Sequence, residues 1–366
     1  MKKQLLCTSA IALGVAAAPA SAQDWNLDWG GFFQQHVAYT EVSGLGVGVD
    51  LDGVQMFTNA EIIFTPNITL DNGMTFGVNV QLEALNSGNA QIDESYMSIS
   101  SDTFGRIDAG YENSAGYKMM VGAPQVGSMA INSPSASAFI PFVTGAGAPG
   151  AFRQAALSSY TEVAGNNDIA RITYYTPSFS GFTAGISYAP GTTGNVAGIL
   201  ANRAAGGTAV TDIFDLGVNY SQSFGTTDIT VAARWGTGDS NIAGVSDPET
   251  WGVGFQVGFS GFTFGASYAE NDNGIAGGVG DQEGYSVGVA YDAAGPWTFG
   301  LEAYIGEVDN GAGNPDGEYE YYKLAANRDL GPGVSWTTYL LQGQTQDAVG
   351  GDIDGTAIGT AINLSF

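Results

Sequence analysis

The sequence predicts an all-β protein, a 16-stranded antiparallel barrel that crosses a membrane with its strands. Segments of about ten residues alternate apolar with polar or small residues, so each strand presents one face to an apolar medium and one to water. No helical periodicity offers a second layer to cover the apolar faces. After residue 22, no apolar run approaches the roughly 20 residues of a transmembrane helix. Lipid around a closed barrel would cover those faces.

The alternation is clearest over residues 74–84. Met74, Phe76, Val78, Val80 and Leu82 share one parity, and polar or small residues occupy the other. Sixteen segments follow this pattern, and an even number is typical of bacterial outer-membrane barrels. The predicted strands are 27–40, 54–64, 74–84, 91–100, 106–112, 169–176, 182–188, 212–222, 229–236, 250–259, 262–269, 285–291, 297–306, 318–326, 334–342 and 355–366.

The connections between these strands fall into two sets. Seven are short and rich in Gly, Asn, Asp and Ser, which supply the positive φ angles of tight hairpins, as at Asp71-Asn72-Gly73 and Ser260-Gly261. Eight are mostly longer and acidic, and the longest, residues 113–168, is called the long loop below. Short turns on one side and long loops on the other are expected of an outer-membrane barrel. Aromatic residues near the strand ends favour membrane-interface girdles.

The first 22 residues form an expected signal peptide. Lys2 and Lys3 precede an apolar stretch, and Ala20-Ser21-Ala22 forms an A-x-A cleavage site, which leaves residues 23–366 as the barrel domain. The only cysteine, Cys7, leaves with this peptide, so the remaining chain has no disulfide or thiolate metal site. Its loss also takes the formal net charge from −26 to −28. That charge argues against nucleic acid as a partner and favours cations near the protein, although solubility alone would also explain it.

The inward parity carries many small residues. Gly77, Gly185, Gly217, Gly254, Gly265 and Gly300 all lie on it. A filled soluble barrel would place large apolar residues inside. The glycines therefore predict a wide, water-filled lumen.

No arrangement of residues indicates an enzyme. The single histidine, His36, is expected to face water on the barrel wall, and no G-x-S-x-G motif accompanies it. The 36 acidic residues make close carboxylate pairs inevitable, so such pairs are weak support for glycosidase chemistry. No cofactor is expected. The acidic outer loops could hold Ca²⁺ or Mg²⁺ through carboxylate oxygens, but solvated loop charge is the simpler interpretation. These loop carboxylates are Asp239, Asp247, Glu249, Asp272, Asp281, Glu283, Asp309, Asp316, Glu318, Asp347, Asp352 and Asp354.

Three local motifs resemble the general diffusion porins of Gram-negative bacteria. The stretch from Arg171 to Phe182, RITYYTPSFSGF, is similar to a strand–turn–strand hairpin of proteobacterial porins. Phe104-Gly105-Arg106-Ile107 is similar to the strand before their constriction loop. The terminal Phe366, with Leu364 and Ile362 at alternate positions, resembles their assembly signal.

The resemblance implies a location and an assembly. It implies an outer-membrane homotrimer with one pore per subunit, surrounded by outer-membrane lipid and lipopolysaccharide. It also implies that the third long loop, residues 113–168, folds inward and narrows the pore. This loop is longer than the family pattern and rich in Ala, Gly, Ser and Pro.

A pore of this kind needs charges of opposite sign across a narrow wet gap, which orient passing water and solute. The predicted basic residues are Arg106, Arg171, Arg234 and Lys323 on inward parities, with Arg153 on the long loop. The predicted acidic residues are Glu112, Glu162 and Asp168 at or near the loop, followed by Glu61, Glu83 and Asp108 on the wall. The alternative role for each arginine is a salt bridge that stabilises the barrel wall.

The expected function is passive diffusion of small hydrophilic solutes and ions through the outer membrane, with a preference for cations. A substrate-selective porin is the close alternative, because Tyr175, Tyr304, Tyr321 and Tyr339 are expected to face inward. A secreted all-β binding or adhesion protein would also explain the signal peptide and the acidity. It would not explain sixteen strands with one apolar face each. A barrel with a plugged lumen is a third alternative.

Overall fold

The computed structural model describes residues 24–85, 92–145, 147–149, 152–194, 198 and 200–366. The expected signal peptide, residues 1–22, lies outside the described residues. The strands are β1 (Trp29–Ser43), β2 (Gly53–Phe64), β3 (Asn67–Thr69), β4 (Thr75–Glu83), β5 (Ile92–Ser101), β6 (Gly105–Glu112), β7 (Ile169–Tyr175), β8 (Phe182–Gly191), β9 (Val210–Phe224), β10 (Thr227–Ser240), β11 (Glu249–Phe259), β12 (Phe262–Asp272), β13 (Gln282–Asp292), β14 (Trp297–Val308), β15 (Gly317–Gly331), β16 (Val334–Gln346) and β17 (Asp352–Ser365). The long loop contains the short helix α1 (Ala115–Met119) and 3₁₀ turns at Ser135–Ala138 and Val163–Gly165.

The strands form one closed antiparallel ring. Each strand pairs with its neighbours in chain order, and β1 closes the ring by pairing with both β2 and β17. Phe33, for example, lies opposite Ala60 on one side and Leu364 on the other. Closure removes every free sheet edge. A barrel in lipid requires this because no water is present there to form hydrogen bonds with the backbone N–H and C=O groups of an edge strand.

The segments β2 and β3 form a single position in the ring. Phe64 of β2 pairs with Val80, and Asn67 of β3 pairs with Gly77, so the register with β4 continues unchanged across the break. The break falls at Pro66, which has no N–H to donate, although its carbonyl still accepts from Val78 N at 3.0 Å. The seventeen strand segments therefore make sixteen barrel strands, and the predicted 16-stranded antiparallel barrel is confirmed.

Ser-Gly pairs form two of the tight hairpin turns. Ser260 and Gly261 have φ angles of 52° and 82°, and Phe259 pairs directly with Phe262 across them. Ser180 and Gly181 repeat the arrangement with φ angles of 51° and 87°. Positive φ at both central residues defines the turn whose twist matches that of the flanking strands. The "PSFSGF" motif is therefore a hairpin.

Apolar side chains lie on the outer face of the barrel. On β11, Val253 and Phe255 are 46% and 45% exposed, whereas Gly252 and Gly254 between them are buried. Apolar side chains outside and small residues inside are the reverse of the arrangement in a water-soluble barrel, and this arrangement suits a wall surrounded by lipid. No helix among the described residues has the length and hydropathy of a membrane-spanning helix.

The long loop lies against the inward-facing side chains of the barrel. Tyr319 Oη donates a hydrogen bond to the carbonyl of Ile131 at 2.7 Å, and Tyr321 Oη donates to that of Ile140 at 2.7 Å. Tyr304 Oη likewise donates to the carbonyl of Ala155. All three tyrosines are fully buried. They anchor the loop to β14 and β15 and do not line an aromatic track for solutes.

The inward glycines make room for the loop backbone. A Cβ on Gly254 would overlap the carbonyl of Val121, and one on Gly265 or Gly217 would overlap the carbonyl of Gly122 or Ala115. On this side of the barrel the expected wide, water-filled lumen is therefore wrong. The glycines allow close approach between two backbones, and the loop occupies the space.

His36 is buried, which corrects the expectation that it faces water. Its Nδ1 lies 3.1 Å from Tyr339 Oη, and its ring packs on those of Phe57 and Phe139. Phe139 belongs to the long loop, so the loop reaches across the lumen as far as β1 and β16. Parity correctly placed His36 on the inner face but gave no information about the loop that covers it.

Replacing Gly254 by Ala should weaken the docking of the long loop. The added methyl would force the Val121 carbonyl away from the wall, and overpacking of this kind costs about 1–3 kcal/mol. We expect G254A to lose its compact form in SDS gels at a lower temperature than the wild type. The matched control is G46A, because a Cβ on Gly46 meets nothing within 4 Å. Equal unfolding temperatures for the two variants would contradict the docking argument.

Candidate channel constriction

Eight lysines and arginines follow residue 22, and five of them lie outside any water-filled passage, either buried or on the outer surface. Arg171, Arg234 and Lys323 are buried beneath the long loop. Arg203 pairs with Asp212 at 2.6 Å on the surface, and Arg328 lies over the Trp297 ring at 5.5 Å. The three that remain for a water-filled passage are Arg106, Lys118 and Arg153.

Arg171 and Arg234 lie in a buried cluster with two carboxylates. Arg171 Nη1 is 3.6 Å from Glu162 Oε2 and 3.8 Å from Asp215 Oδ2, and Arg234 Nη2 contacts Asp215 Oδ1. Arg234 Nη1 also donates to the carbonyl of Thr161 at 2.7 Å. Two positive and two negative charges balance, so the cluster joins the end of the loop to β7, β9 and β10. It leaves no net charge for a passing solute.

Lys323 has a similar anchoring position. Its Nζ is 2.6 Å from Glu302 Oε1 and donates to the carbonyls of Ser128 and Met129 at 3.1 and 3.0 Å. The side chain is buried. The structure therefore places Lys323, Arg171 and Arg234 under the loop, with Glu162 at the loop end beside them, and the two arginines form the salt bridges that the sequence left open as an alternative.

Many inward residues of β2, β4, β5 and β6 keep contact with solvent, in contrast to most of those on β14 to β16. We call this surface the open wall. Its partly or largely exposed inward residues are Asn59, Glu61, Asn79, Gln81, Glu83, Asp93, Tyr96 and Arg106. The solvent-accessible space beside the open wall is called the passage below.

Arg106 and Lys118 flank one aromatic ring. The Arg106 guanidinium carbon is 5.9 Å and the Lys118 ammonium 4.6 Å from the centre of the Tyr96 ring. Arg106 pairs with the buried Asp108 at 2.6 Å, and Lys118 pairs with the buried Glu112 at 2.7 Å. Each cation therefore has its own carboxylate beneath it. Asp108 and Glu112 are themselves buried and pair with the two cations.

Helix α1 positions Lys118. Ser114 caps the helix by accepting a hydrogen bond from Tyr117 N at 3.1 Å, and Ser114 N donates to Glu162 Oε1 at 2.8 Å. Burial would lower the pKa of Lys118, but the carboxylates of Glu112 and Glu94 outweigh it and hold the pKa above its ordinary value. The side chain remains a cation at every physiological pH.

A β-bulge in β5 directs two carboxylates toward the passage. Val80 pairs with Ser95 and Leu82 with Ile92, so the single residue Gln81 faces both Asp93 and Glu94. Such a bulge re-aims side chains locally. Glu94 accepts hydrogen bonds from Gln81 and Asn113, and the Asp93 carboxyl interacts with Asp168.

Glu61 and Glu83 extend this acidic surface. They lie directly opposite each other on β2 and β4, where two like charges repel. Within the described ranges, no lysine or arginine lies within ion-pair distance of Glu61. The open wall therefore carries an excess of negative charge across three neighbouring strand positions.

Asp168 ends the long loop beside these carboxylates. It accepts a hydrogen bond from Asn113 Nδ2 at 2.9 Å and is buried. Burial, followed by the charges of Asp93 and Glu94, raises the pKa of Asp168 to about 7. The charge of this residue therefore changes near neutral pH.

Asp93, Glu94, Tyr96 and Lys118 were missed by the sequence prediction, although two signals point to them. Ile92 and Met97 are both apolar and five positions apart, which breaks the period of two and indicates a bulge between them. Lys118 is one of only two lysines after residue 22. Among the described residues, no group of three or more His, Cys, Asp or Glu side chains is arranged to hold a metal ion.

The comparison with known families agrees with the closed barrel. A family model described as Gram-negative porin matches residues 8–348. The chain belongs to the Gram-negative porin family, and the resemblance seen in its motifs is confirmed. No curated protein matches the sequence significantly.

Several solved porin structures share the fold. The anion-selective porin from Comamonas acidovorans has a TM-score of 0.63 and 16% identity, with 94% of this chain and 100% of that chain covered. The outer membrane channel DcaP of Acinetobacter baumannii has a TM-score of 0.63 and 12% identity, with 96% and 100% covered. In-vitro folded OmpT of Vibrio cholerae in its trimer form has a TM-score of 0.61 and 14% identity, with 93% and 99% covered.

The family and the fold together establish what kind of protein this is. It is a multi-pass β-barrel of the outer membrane and a diffusion channel. Family and fold point to a channel rather than an enzyme.

The buried charge cluster should be more sensitive to mutation than the surface pair on the same strand. Asp215→Asn leaves Arg171 and Arg234 with one carboxylate between them, and breaking a buried pair costs about 3–5 kcal/mol. We expect a loosened loop, seen as larger current fluctuations in open single channels. The matched control is Asp212→Asn, which removes the charge of the exposed pair with Arg203 and leaves an amide oxygen to accept the hydrogen bond from Tyr188 Oη. Quiet D215N channels would contradict the anchoring role.

Proposed function

We propose that this porin is a cation-preferring channel for small hydrophilic solutes and ions. The observation that carries the proposal is the charge balance at the passage. Arg106 and Lys118 have their own buried carboxylates, which leaves Arg153 against the acids of the open wall and the loop end. Those acids include Glu61, Asp93 and Asp168. Cations should therefore concentrate in the passage and anions should be repelled.

Local charge supports this proposal more strongly than net charge does. Many of the 36 acidic residues lie in outer loops, where salt screens them over about 10 Å at 0.1 M. Carboxylates within a narrow passage are screened much less. The structural relative from Comamonas acidovorans is described as anion-selective, so the shared fold leaves the sign of selectivity to the residues at the passage.

We also propose a homotrimer. The solved OmpT of Vibrio cholerae is described in a trimer form and has the same fold. The barrel presents exposed apolar side chains around its outer wall, which lipid or neighbouring subunits can cover. Conductance steps in groups of three would be the electrical sign of this assembly.

The decisive measurement is the reversal potential of single channels in a planar bilayer under a KCl gradient. A potential with the sign of cation selectivity is expected. The opposite sign would retain the channel but reject the proposed cation preference. Absence of conductance from folded protein would instead favour a barrel with a plugged lumen. This is the specific alternative because the long loop packs extensively inside the lumen.

The cation preference should depend on pH through Asp168. Because its pKa is raised to about 7, the carboxyl is neutral below that pH and negative above it. We expect the K⁺/Cl⁻ permeability ratio to rise between pH 6 and pH 8. In Asp168→Asn part of this rise should disappear, and the ratio at pH 8 should be lower than in the wild type.

The control for this prediction is Asp102→Asn, which removes an exposed carboxylate in the short turn between β5 and β6. Its permeability ratio should follow the wild-type pH dependence. A pH-dependent rise of equal size in D168N and the wild type would remove Asp168 from the selectivity mechanism.

A further inference from the structure

Arg328 is the only lysine or arginine of the described strands that lies on the outer side of the barrel wall. On β15 it shares its parity with Tyr322 and Leu324, which are exposed, whereas Lys323 and Ala325 on the other parity are buried inside. Lipid disfavours a charge on the outer side, and the cost becomes small only near the membrane interface. The place of Arg328 along the strand therefore decides whether it can bind an anion.

Arg328 lies at the end of the wall that carries the short turns. The turn at residues 293–296 leads into β14, the turn at residues 332–333 follows β15, and Asp329 N donates to the carbonyl of Pro296 at 2.9 Å. Short turns face the periplasm in barrels of this kind, and strand ends lie at the membrane interface. We therefore expect Arg328 at the level of the lipid headgroups in the periplasmic leaflet.

Two tryptophans flank the Arg328 side chain. Trp297 of β14 and Trp336 of β16 lie directly opposite it in the sheet. Their ring centres are 5.9 Å apart, and the guanidinium carbon lies 5.5 Å from the centre of the Trp297 ring. Trp336 Nε1 donates to Thr360 Oγ1 at 2.6 Å, which fixes the orientation of its ring. Tryptophan is enriched at the level of lipid headgroups. We call Trp297, Arg328 and Trp336 the arginine–tryptophan site.

No carboxylate of the described residues neutralises Arg328. No Asp or Glu among them lies within ion-pair distance of its guanidinium. The carboxylates of Asp329 and Asp292 belong to the inward parity and accept other hydrogen bonds, from Gly331 N at 2.9 Å and from Thr298 Oγ1 at 2.7 Å. The guanidinium therefore keeps N–H donors for an anion outside the chain.

The surroundings of the site favour a lipid over a soluble anion. Phe299, Leu324 and Leu340 continue the outer surface toward the middle of the membrane, and all three are exposed. They offer apolar contacts for acyl chains below a headgroup. The chain after residue 22 has 36 acidic and eight basic residues, so free anions are repelled from it. An anion that is part of the membrane is instead held next to Arg328 at high local concentration.

We propose that the arginine–tryptophan site binds the phosphate of an anionic phospholipid in the periplasmic leaflet of the outer membrane. Two N–H groups of Arg328 donate to the phosphate oxygens, since the planar guanidinium matches a phosphate with two parallel hydrogen bonds. The indole rings contact the glycerol region, and the acyl chains lie along Phe299 and Leu324. Such a contact also fixes the depth of β14 to β16 in the membrane. The inference requires the outer-membrane barrel and is independent of solute selectivity.

Native mass spectrometry of the full-length folded protein in detergent tests the proposal. The protein is titrated with dioleoyl phosphatidylglycerol, which is an anion, and in parallel with dioleoyl phosphatidylcholine, which has the same acyl chains and no net charge. We expect the first lipid to bind about fivefold more tightly, because one arginine near an anionic headgroup has an effect of this size. The same spectra give the number of subunits.

Three variants test the residues. Arg328→Gln should abolish the preference for phosphatidylglycerol, and Trp297→Leu should reduce it about twofold because the ring no longer fixes the guanidinium. The matched control is Arg203→Gln, which removes the same charge from an exposed arginine outside the strands. Its lipid preference should equal that of the wild type. The compact form in SDS gels shows that each variant is folded.

Several outcomes would overturn the proposal. Equal affinity of the wild type and folded R328Q for phosphatidylglycerol is the first. An equal loss in R328Q and R203Q is the second, because it indicates a general effect of net charge. Displacement of the lipid by an equal concentration of inorganic phosphate would make the site one for a soluble anion. A loss of subunit association in R328Q without a change in lipid binding would make the occupant a neighbouring subunit.

Discussion

A long segment without regular secondary structure can lie buried inside a barrel only if other groups satisfy its backbone. Unpaired peptide groups in such a place each cost free energy comparable to a lost hydrogen bond. Here the barrel wall supplies the partners. Tyr319 and Tyr321 donate to loop carbonyls, and Asn271 accepts from the N–H of Ala155 at 2.7 Å. Every other property of the passage depends on this docking, because the docked loop determines which part of the wall remains in contact with water.

The docking also determines which charges can act on a solute. Arg171 and Arg234 are neutralised by Glu162 and Asp215 beneath the loop, so they contribute rigidity and no field. Arg153 lies on the long loop, is partly exposed and has no carboxylate partner within ion-pair distance among the described residues. The difference between the two kinds of arginine is their distance from compensating carboxylates, since both are fixed by their surroundings. Paired and unpaired arginines therefore lie within one short part of the fold.

The strands could be predicted from the sequence because a period of two needs only local information. The sixteen predicted segments correspond to the sixteen barrel strands, and the Ser-Gly turns follow from the positive φ angles that hairpins require. Parity also placed Arg106 and Lys323 correctly on the inner face. It could not tell that Lys323 lies under the loop and Arg106 in water, because that difference depends on contacts almost 200 residues apart in the chain.

The inward glycines are a second feature whose role could not be decided from the sequence alone. An inward glycine is compatible with an empty lumen and equally with a backbone that approaches closely, and the two interpretations have opposite consequences for pore width. The structure supports close approach at Gly217, Gly254 and Gly265. The bulge at Asp93 and Glu94 is different, because the broken alternation between Ile92 and Met97 was visible in the sequence and could have revealed two more inward carboxylates.

An off-centre passage changes how substitutions in this barrel should be interpreted. Residues on the inner face of β14 and β15 contact the loop, so changes there act on stability and on the rigidity of the constriction. Residues on the open wall and at Lys118 and Arg153 keep contact with solvent, so changes there act on the proposed passage. Equivalent inward positions on opposite sides of one barrel therefore have different roles. The difference arises from the path of a single loop, which the wall itself specifies through its tyrosines, its glycines and its buried charges.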